Sequence, residues 1–289
     1  MATATPSQRS SRSLATAQPT KRMSLSDAAT IGKKLPSRVV FHGQAGIGKT
    51  SFAAWAPSPL FLLTPGETGL HTLIDSGLLP PVPSIEVPAW DDLMDLIAEL
   101  TETDHPHKTL VLDVVDGAEK LGNAHVCAVA YNNDWSESGF EGYQRGYRTM
   151  ANTVWKELLA ALDKLREVKR LGIILLAHTG VGNFNNPEGH DYNRWLPTMN
   201  KEAWQLTLGW ADMVLMGKRE VVTTKDRADR KAKGAGVDER VIITEWSAVA
   251  DAKNRHNLPP EISMGSSGKE AWANFIAAIK TGREGANNA

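Results

Sequence analysis

One stretch of eight residues constrains the fold of this chain more than any other. Residues 43–50 read GQAGIGKT and follow directly on the apolar run RVVFH at 38–42. They fit the pattern G-x-x-x-x-G-K-[ST], a phosphate-binding loop (P-loop) that needs a strand before it and a helix after it. The next residues, SFAAWA at 51–56, are compatible with that helix. The motif therefore predicts an α/β domain that binds a nucleoside triphosphate.

Each position of this P-loop has a physical role. Glycines let consecutive backbone N–H groups turn inward and form a nest for an anion, and the start of a helix adds unpaired N–H groups. The Lys49 ammonium is expected to reach the β- and γ-phosphates, and the Thr50 hydroxyl to bind Mg²⁺. The predicted cofactors are ATP and Mg²⁺. The predicted nucleotide-binding residues of the loop are Gly43, Gln44, Ala45, Gly46, Ile47, Gly48, Lys49, Thr50 and Ser51.

Composition limits the remaining possibilities. A chain of 289 residues can form one α/β domain with tails. The formal net charge of −1 predicts no overall attraction to nucleic acid or to a membrane, so contact with a polyanion must come from local patches. The single cysteine, Cys127, excludes an internal disulfide and a zinc site built from several cysteines. No apolar run approaches the length of a membrane span.

From residue 37 onward, short apolar runs alternate with helical patterns. Several of the apolar runs lack alternation, which is expected when helices cover both faces of a sheet. The pattern predicts an α/β fold with a mostly parallel twisted sheet flanked by helices and a C-terminal β-hairpin region. The predicted strands are 38–42, 59–64, 84–87, 109–115, 172–178, 211–220 and 240–246, and the clearest helices are 90–102, 151–170 and 269–280.

The predicted domains are a disordered basic N-terminal arm at 1–36, a core at 37–281 and a disordered tail at 282–289. Residues 1–26 hold four Lys or Arg and no acidic residue. This composition suits either a transit peptide or an arm that contacts nucleic acid, and the small number of arginines favours the arm. Residues 218–233 hold seven Lys or Arg and three Asp or Glu, and we expect a hairpin whose basic side chains face solvent or a polynucleotide.

Four further residues are candidates for the active site. The apolar run TLVL ends in Asp113, which suits the carboxylate that orients Mg²⁺ and its water, and Asp116 is a rival. Glu67 follows the strand at 59–64 and is the candidate for positioning the attacking water, with a solvated turn glutamate as the alternative. His178 closes the strand at 172–178 and either senses the γ-phosphate or is structural.

The order of these motifs resembles that of the phage-type RecA-like ATPases. These are the AAA-domain nucleotide-binding proteins of bacteriophages, which include Sak-type single-strand annealing recombinases. The resemblance covers roughly residues 33–280 and rests on the P-loop, the ETG turn, VLD, IILLAH, WADMV and DAKNRHNLP, of which AKNRHNLP at 252–259 is the most specific. One departure is the turn LLTPGE, because relatives carry an acidic residue directly at the strand end. Glu67 is therefore displaced and turnover is expected to be slow.

The resemblance implies a homo-oligomer, either a ring or a filament, with its ATP site at the interface. In that superfamily a K-x-R pair on a late strand reaches the γ-phosphate held by the neighbouring protomer, and Lys253 and Arg255 match that pair. The catalytic residues predicted in this way are Lys49, Glu67, Asp113, Lys253 and Arg255, with Thr50 and Asp113 at the metal and His178 at the nucleotide.

The implied function is ATP hydrolysis in DNA recombination, repair or replication, acting on single-stranded DNA in the cytoplasm, which is that of the bacterial host if a phage encodes the chain. The alternatives are an ATP-gated loader or scaffold for a replication or recombination partner, with little hydrolysis, and a small-molecule kinase. Two segments are predicted to be loops that could stack on bases, namely 134–150 and 179–197. Their aromatic and arginine residues are Phe140, Tyr143, Arg145, Tyr147, Arg148, Phe184, Tyr192, Arg194 and Trp195.

Overall fold

The computed structural model describes residues 34–224 and 233–287. Within them the chain forms one sheet system whose main order is β10-β8-β7-β1-β5-β4-β2-β3, with β6 paired to β5 and β9 paired to β7. The strands are β1 Arg38–Gly43, β2 Pro59–Leu63, β3 Ser84–Glu86, β4 Thr109–Asp113, β5 Gly172–Phe184, β6 Tyr192–Pro197, β7 Met213–Thr224, β8 Lys233–Ile243, β9 Lys253–Asn254 and β10 Glu261–Ser263.

Helices lie between most of these strands. They are α1 Lys49–Ala53, α2 Gly69–Asp75, α3 Trp90–Glu102, α4 Val115–Tyr131, α5 Arg145–Met150, α6 Lys156–Lys169, α7 Lys201–Trp210 and α8 Gly268–Asn287. A 3₁₀ turn at Gly142–Gln144 precedes α5, and a π-helical segment at Ala151–Trp155 joins α5 to α6. No helix within 34–224 and 233–287 is both long and apolar enough to cross a membrane.

The strands from β7 through β1, β5, β4 and β2 to β3 are parallel, and β8 and β10 extend the sheet antiparallel. The α/β class with a mostly parallel sheet is therefore confirmed. β5 lies between the P-loop strand β1 and the Asp113 strand β4.

The core consists of two apolar layers on opposite faces of the sheet. Successive residues of β1 alternate between them, since Val40 packs with one layer while Val39 and Phe41 pack with the other. Residues of α3, α4, α6 and α7 cover the first face, and residues of α1, α2 and α8 cover the second. This double cover explains why the central strands are almost continuously apolar.

Several boundaries differ from the predicted ones. The strand predicted at 109–115 ends at Asp113, and α4 begins at Val115, because the buried apolar residues of the first helical turn prolong the apolar run. The segment 179–197, predicted as a loop, is instead an antiparallel hairpin of β5 and β6, with Thr179 paired to Pro197 and Phe184 paired to Tyr192. The segment 134–150 contains the 3₁₀ turn and α5.

The predicted domain boundaries can be compared with the structure only in part. The arm lies outside the described residues up to residue 33. At the other end, α8 continues to Asn287, where a tail was predicted from residue 282. Gly282 permits this, because a Cβ at that position would lie 2.4 Å from the Asn257 carbonyl oxygen, so a residue without a side chain lets the helix pass close to the backbone. The hairpin of β7 and β8 is present, and its tip at 225–232 lies outside the described residues.

Candidate functional site

The sheet register brings the predicted site residues to one edge. Gly43 at the end of β1 pairs with His178 of β5, and Asp113 at the end of β4 pairs with Leu63 of β2. Ligands of open α/β sheets bind beyond the carboxyl ends of parallel strands, and this edge holds an open cleft of about 380 Å³. Its lining includes Ala45, Gly46, Gly48, Lys49, Thr50, Ser51, Glu67, Asp113 and His178.

The P-loop backbone depends on its glycines. Gly46 and Gly48 have φ of 72° and 109°, in the region that other residues rarely adopt. Gly43 faces a close neighbour instead, because a Cβ there would lie 2.6 Å from the Gly217 carbonyl oxygen of β7. α1 begins at Lys49 directly after the loop and is five residues long. The loop is therefore shaped by backbone requirements that only glycine meets at these positions.

The Lys49 ammonium lies folded against its own loop. Its Nζ donates to the carbonyl oxygens of Gly43 at 3.0 Å and Gln44 at 3.4 Å, and the residue is buried. Burial lowers the pKa of Lys49, while the negative charges of Asp113 and others nearby oppose that shift. The two carbonyl dipoles compensate the positive charge of Lys49 only in part. An anion bound in the loop would supply the remaining compensation.

Thr50 and Asp113 form a direct contact at the floor of the cleft. The Thr50 hydroxyl donates to Oδ2 of Asp113 at 2.9 Å, and Asp113 is buried. Burial raises the pKa of Asp113 to about 6, and the hydrogen bond from Thr50 opposes the increase. A hydroxyl and a carboxylate side by side are ligands that suit Mg²⁺ or its water shell.

Asp116 forms its hydrogen bonds with His178, whereas Thr50 bonds to Asp113. Its Oδ2 lies 2.9 Å from His178 Nδ1, and its Oδ1 accepts from the His178 backbone N–H at 2.9 Å. This hydrogen bond raises the pKa of His178, although partial burial opposes the increase. Burial alone would raise the pKa of Asp116, but the bonds from His178 outweigh it and the net change is downward. The two residues form a hydrogen-bonded dyad at the rim of the cleft.

Glu67 faces the free side of the same imidazole. Its Oε1 lies 3.9 Å from His178 Nε2, and its side chain is 27% exposed. Its backbone N–H donates to the Thr64 carbonyl oxygen at 3.2 Å, which closes the turn after β2. His178 thus lies between two carboxylates, Asp116 behind it and Glu67 in front. The sequence indicates Glu67 and His178 separately. It gives no signal that Asp116 binds His178, because 62 residues separate the two.

Lys253 and Arg255 lie at the other edge of the sheet. β9 pairs with Met213 and Val214 at the start of β7, whereas the P-loop is level with Gly217, about 13 Å further along the strand. The Lys253 ammonium donates to the Leu208 carbonyl oxygen at 2.6 Å, at the end of α7.

Arg255 is the more available member of this pair. Its side chain is 53% exposed, and its Nη1 lies 3.8 Å from Asp212 Oδ1. Burial lowers the pKa of Lys253, and the charge of Arg255 adds to that shift. The structure therefore separates the two members of the predicted pair, since Lys253 is engaged with a helix end while Arg255 projects outward.

The first predicted base-stacking segment is mostly packed against the core. Phe140 is fully buried and stacks edge-on with Tyr147 at 4.9 Å between centroids. The Arg145 guanidinium donates to the Ser138 carbonyl oxygen at 2.8 Å, and Arg148 contacts Glu202 at 3.6 Å. Tyr143 is strongly exposed, at 88%, and the Arg148 side chain is 61% exposed. In this conformation Phe140 cannot stack on a base.

The second segment is likewise a packed hairpin. Phe184 and Tyr192 pack on each other with centroids 5.2 Å apart. Arg194 is buried, and its Nη2 donates to Asp251 Oδ1 at 2.9 Å. Trp195 is partly buried, and its backbone N–H donates to the Val249 carbonyl oxygen at 2.8 Å. These aromatic residues therefore stabilise the hairpin.

One P-loop contact has no counterpart in the sequence analysis. Arg240 of β8 donates from Nη1 to the Ile47 carbonyl oxygen at 3.4 Å and from Nη2 to the Gly265 carbonyl oxygen at 3.0 Å. It ties the P-loop to the strand of the basic hairpin and to the segment before α8. A separation of 193 residues from Ile47 leaves no local pattern that could indicate this contact.

Comparison with known proteins gives one family. A family profile described as "AAA domain" matches residues 35–256. No curated protein matches the chain. Among solved structures, the chain is similar to one titled "Crystal structure of the RadB recombinase", with 11% sequence identity and a TM-score of 0.45, covering 82% of this chain and 90% of that one.

Proposed function

This chain belongs to the AAA-domain family, and we propose that it binds and hydrolyses ATP in the P-loop cleft. The observation that carries the proposal is the convergence of Lys49, Thr50, Asp113, Glu67 and His178 around one cleft at the carboxyl edge of the sheet. A phosphate nest, a cation, a metal-binding pair and a carboxylate near the expected γ-phosphate are the parts that phosphoryl transfer to water requires.

The residues present fit MgATP. The buried Lys49 ammonium has a lowered pKa, so a bound anion would stabilise its charged form. The buried Asp113 carboxyl has a pKa raised to about 6, so a nearby cation would stabilise its charged form. Mg²⁺ uses one or two carboxylates and keeps several waters, so Thr50 and Asp113 suffice without a larger cluster of ligands. Bound Mg²⁺ would supply neutralisation of charge on the phosphate oxygens.

We assign the polar residues at the rim to the attacking water and the γ-phosphate. The Glu67 carboxylate accepts a hydrogen bond from the water and orients it. Asp116 fixes the His178 imidazole through Nδ1, which leaves the Nε2 N–H directed toward the side of Glu67 and the expected γ-phosphate. The raised pKa of His178 favours its cationic form, which donates to a phosphate oxygen.

The active unit is a homo-oligomer in this proposal. Arg255 lies about 13 Å along the sheet from the level of its own P-loop, so it cannot complete that site. Its half-exposed guanidinium is available to a second protomer, and a planar cation suits the charge that develops on a transferring phosphoryl group. Lys253 supports the end of α7 and positions this segment.

We propose DNA recombination, repair or replication as the process, with single-stranded DNA as the ligand that stimulates turnover. The burial of Phe140 and Arg194 favours a second candidate, an ATP-gated loader or scaffold that contacts a protein partner and hydrolyses slowly. The two candidates differ in their response to DNA, since only the first requires that single strands accelerate hydrolysis.

The testing experiment measures phosphate release with and without single-stranded DNA for the wild type, Arg255→Ala and Arg255→Lys. We expect stimulation by DNA, a loss of turnover of at least tenfold in Arg255→Ala, and little rescue by Arg255→Lys, because lysine lacks the planar fork. Lys164→Ala, a change at an exposed cation of α6, serves as the matched control. ATP binding without stimulation would favour the scaffold, and unchanged turnover in Arg255→Ala would remove the interface role.

A further inference from the structure

A second cavity lies at the edge of the sheet opposite the nucleotide cleft. It has a volume of about 370 Å³ and is lined by the first residues of four parallel strands, including Val39 of β1, Thr109 of β4, Gly172 of β5 and Met213 of β7. A volume of this size lies at the lower end of the range of ligand sites. Because parallel strands run from this edge to the P-loop edge, the groove is separate from the ATP site.

One wall of this groove is an apolar stripe of α8. Trp272, Phe275, Ile276 and Ile279 follow the spacing of one helix face and all line the cavity. Phe275 and Ile279 are buried in the second apolar layer, whereas Trp272 and Ile276 remain partly exposed. The sheet therefore does not cover the whole stripe, and the exposed parts of Trp272 and Ile276 face the groove.

The rim of the groove carries charge of one sign. Lys108, which precedes β4, and Lys280 and Arg283 on the last turns of α8 all line it, and all three are exposed. The lining contains no acidic residue, and none of the three cations forms an ion pair within residues 34–224 and 233–287. In a chain of net charge −1, this is a local positive rim around an apolar floor.

We propose that this groove, named here the α8 groove, binds an acidic peptide segment that also carries large apolar side chains, supplied by a partner protein. The apolar stripe would take up leucine or aromatic side chains, and the cations would meet the carboxylates. The rim holds three cations, one before β4 and two on the last turns of α8. Three cations match several carboxylates of a peptide better than the single head group of a fatty acid.

A peptide is also favoured over nucleic acid by the floor of the groove. Polyanion binding uses cations and stacked planar surfaces, and it gains little from the aliphatic side chains of Ile174, Ile276 and Ile279. An alternating acidic and apolar peptide uses both features of the α8 groove. Its affinity is expected to fall with rising salt concentration, because the rim cations are exposed.

The test is fluorescence anisotropy of the full chain with a labelled peptide in which Asp and Glu alternate with Leu and Phe. We expect saturable binding that weakens at least tenfold in Lys280→Glu/Arg283→Glu. The matched control is Lys156→Glu/Lys164→Glu, which makes the same charge change at exposed positions of α6 and should leave binding unchanged. Lys108→Glu, outside α8, should weaken binding in the same direction, which guards against an effect caused by damage to the helix.

Several outcomes would overturn the proposal. They are absence of binding, equal weakening in the α6 control, or equal binding of a peptide whose Leu and Phe are replaced by Ser. Displacement of the peptide by decanoate at lower concentration would assign the groove to a small amphiphile. Dimerisation of the chain that Lys280→Glu/Arg283→Glu abolishes would assign it to a second copy. ATP binding by the double variant should equal that of the wild type, so this proposal and the ATPase proposal succeed or fail separately.

Discussion

At the scale of single residues, the cleft is organised by buried charges that lack full compensation. Burial lowers the pKa of Lys49 and raises that of Asp113, so both groups are held in an environment that disfavours their ionised forms. Asp116 and His178 differ, because each is the other's partner and both shift toward their charged forms. Lys49 and Asp113 are therefore the groups that a ligand would stabilise, whereas Asp116 and His178 already stabilise each other.

Replacing Asp116 with Asn tests the role of the dyad. Asp116 raises the pKa of His178, so the imidazole stays protonated to a higher pH than an isolated histidine. In Asp116→Asn that support is lost, the pKa of His178 falls, and the alkaline limb of the kcat profile should move to lower pH. We expect kcat to fall about tenfold or more while KM for ATP changes little.

The matched control for this variant is Asp91→Asn. Asp91, an exposed residue of α3, lies 3.1 Å from the partly buried His125 of α4, away from the cleft lining. It removes the same type of contact and should leave the pH profile of kcat unchanged. An Asp116→Asn variant with the profile of the wild type would show that the dyad is structural only.

Local pattern reaches some of these residues and not others. Lys49, Thr50 and Asp113 stand in a motif or at the end of an apolar run, so the sequence indicates them. Asp116 lies in the first turn of α4, and its role depends on the strand β5, which places His178 within hydrogen-bond distance. A long-range pairing of this kind is set by the order of strands in the sheet and leaves no trace in the neighbouring residues.

At the scale of elements, close approach between α4 and the turn after β2 fixes the carboxyl edge of the sheet. A Cβ on Gly117 would lie 2.0 Å from the Thr64 hydroxyl oxygen, which itself accepts from the Val114 backbone N–H at 3.1 Å. The first turn of α4 is therefore seated directly on Thr64. This contact holds Asp113 and Asp116 at their positions in the cleft.

Gly117→Ala should destabilise the fold by about 1–3 kcal/mol, because the added methyl group overlaps Thr64 and the helix must shift. The measurement is urea unfolding. Gly209→Ala is the control, since a Cβ at Gly209 in α7 meets nothing within 4 Å. That change should leave stability equal or raise it slightly, by the usual helical preference for alanine. Equal effects of the two substitutions would contradict the proposed close packing.

Glu119 joins α4 to the start of α7 and adds a pH dependence to stability. Its two carboxyl oxygens accept from the Asn200 backbone N–H at 2.9 and 3.1 Å, and burial raises its pKa from 4.5 to about 7. Between these two values the folded chain binds more protons at Glu119 than the unfolded chain. The contribution of this residue to stability therefore falls as pH rises through that window.

Glu119→Gln should remove this contribution. We expect the free energy of unfolding of the wild type, relative to the variant, to fall by on the order of 1–3 kcal/mol between about pH 5 and about pH 8. Urea unfolding at both pH values measures it. Glu99→Gln, an exposed change on α3, is the control and should leave the pH dependence of the wild type intact. A Glu119→Gln variant with an unaltered pH dependence would contradict the assignment.

Element types were easier to predict than element ends. The strands covered on both faces and the amphipathic face of α3 each produce a pattern of apolar residues that are close in sequence. The sequence therefore predicts them. The hairpin of β5 and β6 was predicted as a loop, because its residues are rich in Gly and Asn and are stabilised by each other across the turn. Buried apolar residues also open α4, and a short apolar run fits a strand as well as the first helical turn.

At the scale of the whole molecule, the two edges of the parallel sheet carry different chemistry. The carboxyl edge holds the P-loop cleft, while the amino edge holds Arg255 and the α8 groove. α8 connects the two edges, because Gly268 at its start packs against Ser51 directly after the P-loop and Ile279 and Arg283 near its end line the groove. The P-loop cleft and the candidate contact residues therefore lie on opposite edges of the sheet.

The sequence alone does not show which residues at the amino edge are available for contact with another chain. The resemblance indicated Lys253 and Arg255 together, but their neighbours decide their availability. Lys253 is taken up by the carbonyl groups at the end of α7, and Arg255 is half exposed. The α8 groove lies among residues from five elements, so no single segment of the sequence indicates it.

The proposed hydrolysis depends first on the binding of ATP in the P-loop cleft through Lys49. The most direct measurement is isothermal titration of the purified chain with ATP and Mg²⁺, for the wild type, Lys49→Ala and the surface control Lys164→Ala. We predict binding by the wild type and the control, and a loss of affinity of at least about tenfold in Lys49→Ala, because a charge-assisted contact to phosphate is removed. Equal affinity of Lys49→Ala and the wild type would contradict ATP binding through Lys49.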